Sequence, residues 1–474
     1  MSRNSIHVRR ATRIAAVAAV VALLVGCAVV GPDYHAPAEA VPPQWAAPLP
    51  HGGSLQKLVD WWEQFNDPAL LKLQRAAESD SPTLAVAWGK IALARATLAT
   101  ARSGGVPSVS ANASANRSSQ LGTGLSTTRS ASLDASWELD LFGKVRRNVE
   151  AGNAQIQARN NDWHDARISL AAEVATTYVQ YRACGQLVDT YEQELSSTAE
   201  TARATESLVR TGLSAANDAA LARAAQASTT STLLEQRSQC ELLVKSLGNL
   251  TGLQDGALRQ LLGGGTALPT ATALVVQAVP AEVVRQRPDV TSRERDLAAA
   301  SAAIGVAEAD RYPSLSLTGS IGFSANDGSS ASTWSFGPSL SLPLLDGGAR
   351  RAAVDSARAS YEIAYAQWRD AVRSAVTEVE KTLVQLDNTH QRAIQADGAA
   401  REYLQYLVGA EAERRAGSTS LLTFEEARRQ ALSAQVELIG LQRDNIVYWI
   451  ALYKALGGGW DADTPATPPV SRAL

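Results

Sequence analysis

Residues 130–141 alternate without a break. The odd positions are apolar (Ala131, Leu133, Ala135, Trp137, Leu139, Leu141) and the even positions polar (Ser130, Ser132, Asp134, Ser136, Glu138, Asp140). A period of two places the two sets on opposite faces of a β-strand. The run of about 12 residues matches the roughly 9–11 that a tilted strand needs to cross a bilayer. Phe142-Gly143-Lys144-Val145-Arg146-Arg147 then opens a helical pattern that reaches Arg210 with no proline and little glycine. At 1.5 Å per residue such a helix is about 100 Å long. Few folds join a strand of membrane length to a helix of that length.

The same combination occurs twice. Residues 108–116 also alternate, with Val109, Ala111, Ala113 and Ala115 against Ser108, Ser110, Asn112, Ser114 and Asn116. A Gly/Ser/Thr-rich loop over 118–128 completes a hairpin. Farther on, Leu315, Leu317, Ile321 and Phe323 share one strand face, and Trp334, Phe336, Leu340, Leu342 and Leu344 share another. Landmarks recur at a near-constant offset. Pro82 matches Pro288, Val106-Pro107-Ser108 matches Tyr312-Pro313-Ser314, and Arg210-Thr211-Gly212 matches Arg415-Ala416-Gly417. One period held over several landmarks reads as an internal duplication.

The expected organisation follows from these breaks. A first repeat covers 67–252, with a helix started by Asp67-Pro68, a hairpin at 106–141, a long helix at 144–210 and a shorter one at 217–250. A connector covers 253–287. A second repeat covers 288–457, with a hairpin at 313–345, a long helix at 348–416 and a shorter one at 421–456. Residues 458–474 read as a disordered tail.

The N-terminal segment reads as targeting sequence. Arg3, Arg9, Arg10 and Arg13 precede an apolar run over 14–25 that is too short to span as a helix. It ends in Leu24-Val25-Gly26-Cys27, which resembles a bacterial lipoprotein signal. The resemblance implies removal of residues 1–26 and a covalent lipid, N-palmitoyl and S-diacylglycerol, on Cys27. Proline-rich residues 27–66 then read as an extended surface tether. The whole chain has a formal charge of −3, and removal of a basic signal makes it more acidic. With no basic block, nucleic acid is excluded as a partner class. Export places Cys184 and Cys240 where a disulfide persists. They lie 28 residues before and 28 after Gly212, so they face each other in a helical hairpin that turns there; two buried thiols are the alternative.

Four membrane-length strands cannot close a barrel, and open strand edges are not tolerated in lipid. The smallest transmembrane barrels have about 8 strands. The chain must therefore oligomerise, as a dimer, trimer or tetramer. The remaining strand face carries Ser, Thr, Asn, Asp and Gly, which suits a water-filled lumen. A soluble β-patch on a helical protein explains the alternation, but not four strands of one length beside such helices.

Five motifs in this order resemble the outer membrane factors of tripartite efflux systems, the TolC-like channels, in their lipoprotein branch. They are Gly26-Cys27-Ala28-Val29-Val30-Gly31-Pro32-Asp33-Tyr34, Trp61-Trp62 with Phe65-Asn66-Asp67-Pro68, Trp137-Glu138-Leu139-Asp140-Leu141-Phe142-Gly143-Lys144, Arg287-Pro288-Asp289-Val290, and Leu342-Pro343-Leu344-Leu345-Asp346-Gly347-Gly348. The resemblance implies an α+β homotrimer in which a 12-stranded transmembrane β-barrel continues into a long periplasmic α-helical barrel. It implies a passive channel in the bacterial outer membrane that works with a periplasmic adaptor protein and an inner-membrane pump. A protein-secretion duct of the same architecture, or a non-conducting periplasmic coiled-coil lipoprotein, are the other readings.

Within that family the helical turns meet the adaptor. The matching residues are Arg210, Gly212 and Ser214 in the first copy, with Arg415, Gly417 and Thr419 in the second. Gate candidates are Asp218, Glu411, Glu413, Arg414, Arg415 and Thr423; Thr423 stands where many relatives carry an aspartate. Val109, Leu133, Trp137, Leu139, Leu317, Phe323, Trp334 and Leu340 are expected to face lipid, and Asp134 to face water. No enzyme is expected. The histidines (His7, His35, His51, His164, His390) lack metal-ligand spacing. Gly263-Gly264-Gly265 lacks the lysine and the strand–helix context of a phosphate loop. No cofactor beyond the lipid is expected.

Overall fold

The computed structural model describes residues 29–38, 45–47, 61–120, 124–269, 284, 286–326, 328–458 and 466–467. Residues 1–26, Cys27 and nearly all of the tail lie outside the described residues. The chain divides into two compact units. One comprises residues 1–39, 89–160 and 291–371, and the other 40–88, 161–290 and 372–474.

The first unit is built on one antiparallel sheet. Its strands are β1 (Ser108–Gln120), β2 (Gly124–Leu139), β3 (Ser314–Asn326) and β4 (Ser329–Ser341), hydrogen-bonded in that order. The segment read from sequence as a loop, 118–128, is mostly strand: Ser118 pairs with Ser126 and Ser119 with Leu125. Backbone ladders do not depend on side-chain identity, so Ser, Thr and Gly are tolerated where the partner strand continues. At its other end β2 stops at Leu139, two residues earlier than the alternation predicts. Asp140 leaves the ladder there to cap the next helix.

The helices are α1 (Pro68–Asp80), α2 (Pro82–Ser103), α3 (Lys144–Arg210), α4 (Ala216–Thr251), α5 (Asp255–Leu262), α6 (Pro288–Ala309), α7 (Ala349–Arg415) and α8 (Leu421–Ala455). α3 and α7 are each 67 residues long. α1 begins where Asp67 accepts from the amides of Ala69 (2.9 Å) and Leu70 (3.3 Å), with Pro68 at its first position.

Small residues set the packing. In the first unit Ala154, Ala298 and Ala299 form a buried cluster with Ala151 and Tyr34 against it. In the second unit Ala202, Ala222, Ala410, Leu421, Phe424 and Ala427 form another. Alanine lets helix axes approach closely and loses no side-chain entropy on burial. A second-unit aromatic cluster joins Trp61, Trp62, Phe65 and Tyr453, with Trp61 stacked on Tyr453 at 4.7 Å. This corrects the expectation of a tether over 27–66. Trp61–Phe65 is a 3-10 turn with both end residues buried, because two large aromatic rings gain more in the core than in water.

Candidate transport conduit and its fixed points

The strand register sorts side chains into two faces over all four strands. One row runs Ala111, Leu133, Ile321 and Trp334, and the next runs Val109, Ala135, Gly319 and Phe336. Trp137–Leu317 and Leu139–Leu315–Leu340 continue that face toward the helices, and Ala131–Phe323 continues it toward the hairpin turns. All eight residues expected to face lipid therefore share one face. It is strongly exposed in the single chain: Val109 is 70 %, Ile321 62 % and Trp334 81 % accessible. Trp137 is half-buried, and its indole donates to the Gly105 carbonyl at 3.1 Å. An exposed apolar patch of this extent marks a surface made for something other than water.

The opposite face is polar. Ser110, Asp134, Ser320 and Ser335 form one row, and Asn112, Ser132, Gly322 and Thr333 the next. Asp134 accepts from Asn112 (2.8 Å), Ser132 (2.8 Å) and Ser320 (2.7 Å), linking β1, β2 and β3. Each donor satisfies part of a carboxylate that would be costly to leave unpartnered. The outer sides of β1 and β4 carry no strand partner among the described residues.

Strand-to-helix junctions repeat one device. Asp140 accepts from the amides of Val145 and Arg146, each at 3.0 Å, and pairs with the Arg146 side chain at 3.2 Å. Asp346 accepts from the amides of Gly348 (2.9 Å) and Arg350 (3.2 Å) and pairs with the Arg350 side chain at 3.2 Å. A carboxylate at a helix start satisfies orphan amides and complements the helix dipole.

The extended surface segment after Cys27 is held at the first of these junctions. The Val30 amide donates to the Phe142 carbonyl at 3.1 Å. Arg147, buried, donates to the Val30 carbonyl (3.1 Å), the Gly31 carbonyl (3.2 Å), Asp33 (2.8 Å) and Glu150 (2.8 Å). Gly31 sits so close to Gly305 that a Cβ on it would lie 2.3 Å from the Gly305 Cα. Tyr34 donates to Glu294 at 2.6 Å. These contacts give a physical role to the Gly31-Pro32-Asp33-Tyr34 motif, which the sequence marked without assigning it one.

The two helical turns have one geometry. Gly212 and Gly417 adopt φ of +75° and +76°. The amide after each glycine reaches back five residues, Leu213 to Leu208 and Ser418 to Glu413, both at 2.9 Å. The glycine amides themselves reach back three, to Val209 and Arg414. This is the two-bond helix ending in which glycine supplies the left-handed residue. Arg210 and Arg415 are exposed, and Leu213 and Leu422 project large apolar side chains nearby. Among the gate candidates, Asp218 accepts from Ser214 at 2.6 Å, and Glu411 pairs with Arg415 at 2.5 Å. Thr423 is tied instead to Ser420, whose hydroxyl accepts from the Thr423 amide at 3.1 Å. Thr419 is half-buried, and the Glu413 carbonyl accepts from the Ser418 side chain.

In the second unit Cys184 on α3 and Cys240 on α4 are bonded, with Cα atoms 5.7 Å apart. Sequence reasoning missed a buried charge cluster in the same unit. Arg428 is only 2 % exposed, pairs with Glu425 at 2.8 Å, lies 3.8 Å from Glu194, and donates to Thr201 at 2.9 Å. Its guanidinium also lies over the Phe424 ring. Burial pushes the Glu194 carboxyl up to about 7, outweighing the opposing pull of Arg428, and burial raises Glu425 as well. A second clamp fixes the Arg287-Pro288-Asp289 motif. Arg287 pairs with Asp289 (2.9 Å) and Glu378 (2.8 Å) and donates to the Ala455 carbonyl (2.7 Å). What the sequence does not signal is the distant partners, Glu194 and Thr201 for Arg428 and Glu378 and Ala455 for Arg287, because they lie far along the chain.

The chain is similar to known proteins over almost its whole length. It is 31% identical over 464 residues to nodulation protein T of Rhizobium leguminosarum bv. trifolii, covering 95% of this chain and 97% of that protein. It is 31% identical to the solvent efflux pump outer membrane protein SrpC of Pseudomonas putida, covering 92% and 96%. Among solved structures, the outer-membrane channel OprN superposes with a TM-score of 0.82 at 30% identity, over 91% of this chain and 99% of that one. The family profile described as outer membrane efflux protein matches residues 73–253 and 279–458. With the family profile matching both copies of the duplicated pattern, and relatives matching almost the whole chain, the chain belongs to the outer membrane efflux protein family.

Proposed function

We propose that this chain is the exit duct of a tripartite efflux pump, conducting small molecules such as drugs or toxic compounds across the periplasm and outer membrane. The observation that carries the proposal is the sheet, with one exposed apolar face, one polar face and two edges unpaired among the described residues. Lipid does not tolerate open edges, so the sheets of neighbouring copies must join. Three copies of four strands close one barrel of 12, with the apolar face in lipid and the Asp134 face lining the pore.

Cys27 carries the covalent lipid; the hydrogen bond from the amide of Val30, three residues farther on, to the Phe142 carbonyl supports an anchor close to the β2–α3 junction. The turns at Gly212 and Gly417 receive the adaptor, through Arg210, Ser214, Arg415 and Thr419 around the two rigid glycine corners. An inner-membrane pump supplies energy and most of the cargo selection. Relatives named for solvent and antibiotic efflux support a small-molecule cargo. The test is single-channel conductance of the purified protein in a planar bilayer, together with rescue of drug resistance in a strain lacking its own channel. Stable pores and restored resistance are expected. Folded oligomers that never conduct would instead favour a scaffold.

A further inference from the structure

The apolar face of the sheet carries two charges, both arginines and both at one end. On β1 this face runs Val109, Ala111, Ala113, Ala115 and Arg117, and on β2 it runs Ala135, Leu133, Ala131, Arg129 and Thr127. On β3 and β4 it holds no charged residue. The pairs Ala115–Arg129 and Arg117–Thr127 make the two arginines diagonal neighbours. Their backbones are then about 7–8 Å apart, within reach of two long side chains. Both are exposed. The sheet's acidic side chains, Asp134 and Glu138, lie on the opposite face.

Two like charges side by side repel, and a charge at the margin of a lipid-facing surface is costly unless it meets a counter-charge. Among the described residues, nothing on this face supplies one. Toward the helices the neighbouring rows are apolar, with Ala131 beside Phe323, then Leu133, Ile321 and Trp334. A molecule touching both regions is anionic at one end and apolar over the next 10 Å or so, the length of about three strand residues. The arginines sit at the hairpin end, opposite the junctions with the helices.

We propose that Arg117 and Arg129 form a binding site for the phosphate of a phosphorylated lipid in the outer leaflet, whose acyl chains lie over Phe323, Ile321 and Trp334. The planar guanidinium donates two parallel hydrogen bonds to phosphate, which accounts for arginine at both positions. This inference rests on the membrane-spanning reading of the sheet.

The test uses full-length wild-type protein and native mass spectrometry, with a purified bis-phosphorylated glycolipid and the same lipid after phosphatase treatment. Wild type should retain the phosphorylated form through detergent exchange. It should bind the treated form at least about tenfold less, the scale of losing one hydrogen bond to a charged group. R117Q/R129Q should lose the preference, and R117K/R129K should keep part of it. Equal binding of the two lipids by wild type, or an unchanged preference in R117Q/R129Q, overturns the proposal. Should the glutamine variant not assemble, the comparison of two lipids on wild type decides alone. Planar-bilayer conductance on the same preparation separates the two readings. Pores without a phosphate preference remove only the lipid site, whereas no pores remove both.

Discussion

Leu133→Arg against Ser132→Arg tests the two faces of the sheet at neighbouring positions. Leu133 lies in a row with Ala111, Ile321 and Trp334 near the middle of β2, and is half exposed in the single chain. If that face meets lipid, an arginine there costs about 2–4 kcal/mol per protomer near the midplane. That is a factor of roughly 30 to 900 in the insertion equilibrium of each copy. Ser132 lies on the opposite face and donates to Asp134 at 2.8 Å. Replacing it loses one hydrogen bond to a carboxylate, worth about 1.5–3 kcal/mol, but puts a cation beside that carboxylate in water, which offsets the loss. The assay is the fraction of protein in the outer membrane as heat-resistant oligomer, followed by urea unfolding from vesicles. L133R should fall to near absence while S132R stays close to wild type. Equal losses in both would refute the face assignment.

Three further outcomes follow from the second unit. The Cys184–Cys240 bond closes a loop with a sequence separation of 56; removing it in C184S/C240S should cost about 4 kcal/mol by chain entropy, read as a lower urea midpoint that reductant no longer changes. Two free thiols in unreduced wild type, counted by mass, would refute the bond. Gly212→Glu and Gly417→Glu put a side chain at φ near +75°, at a cost of roughly 1–2 kcal/mol. They should leave folded oligomers but abolish drug resistance, so normal resistance would contradict the adaptor assignment. Because the folded-state value of Glu194 is raised, its neutral form is favoured in the native protein. Its contribution is present at low pH and is lost as pH rises through about 7; E194Q should flatten that part of the stability profile, and an unchanged profile would remove Glu194 as its source.

What could be read in the chain depended on how local the cause is. Alternation at 130–141 marked a strand because the period is a property of neighbouring residues. The long helix after Gly143 was legible from the lack of proline, and Asp67-Pro68 from capping chemistry, which acts within three residues. The segment 118–128 was misread, because its Ser/Thr/Gly composition suits a loop and a lumen-facing strand equally. Only the register with β2, Ser118 against Ser126, separates the two. Arg428 was missed for a related reason. In the run Glu425-Glu426-Ala427-Arg428-Arg429 it looks like part of a solvated face, yet packing against α3 buries it beside Glu194 and Thr201.

By itself the sequence determined which residues share a strand face, where helices start and stop, and that four membrane-length strands need partner copies. These follow from periodicity, backbone chemistry and the intolerance of lipid for open edges. Tertiary structure decided how far each strand runs, since a ladder continues wherever its neighbour does. It decided what holds residues 29–34 on the surface, namely Arg147 and the close approach to Gly305. It also decided that Arg117 and Arg129 stand side by side, because only pairing in space brings residues from two strands to one end of one face.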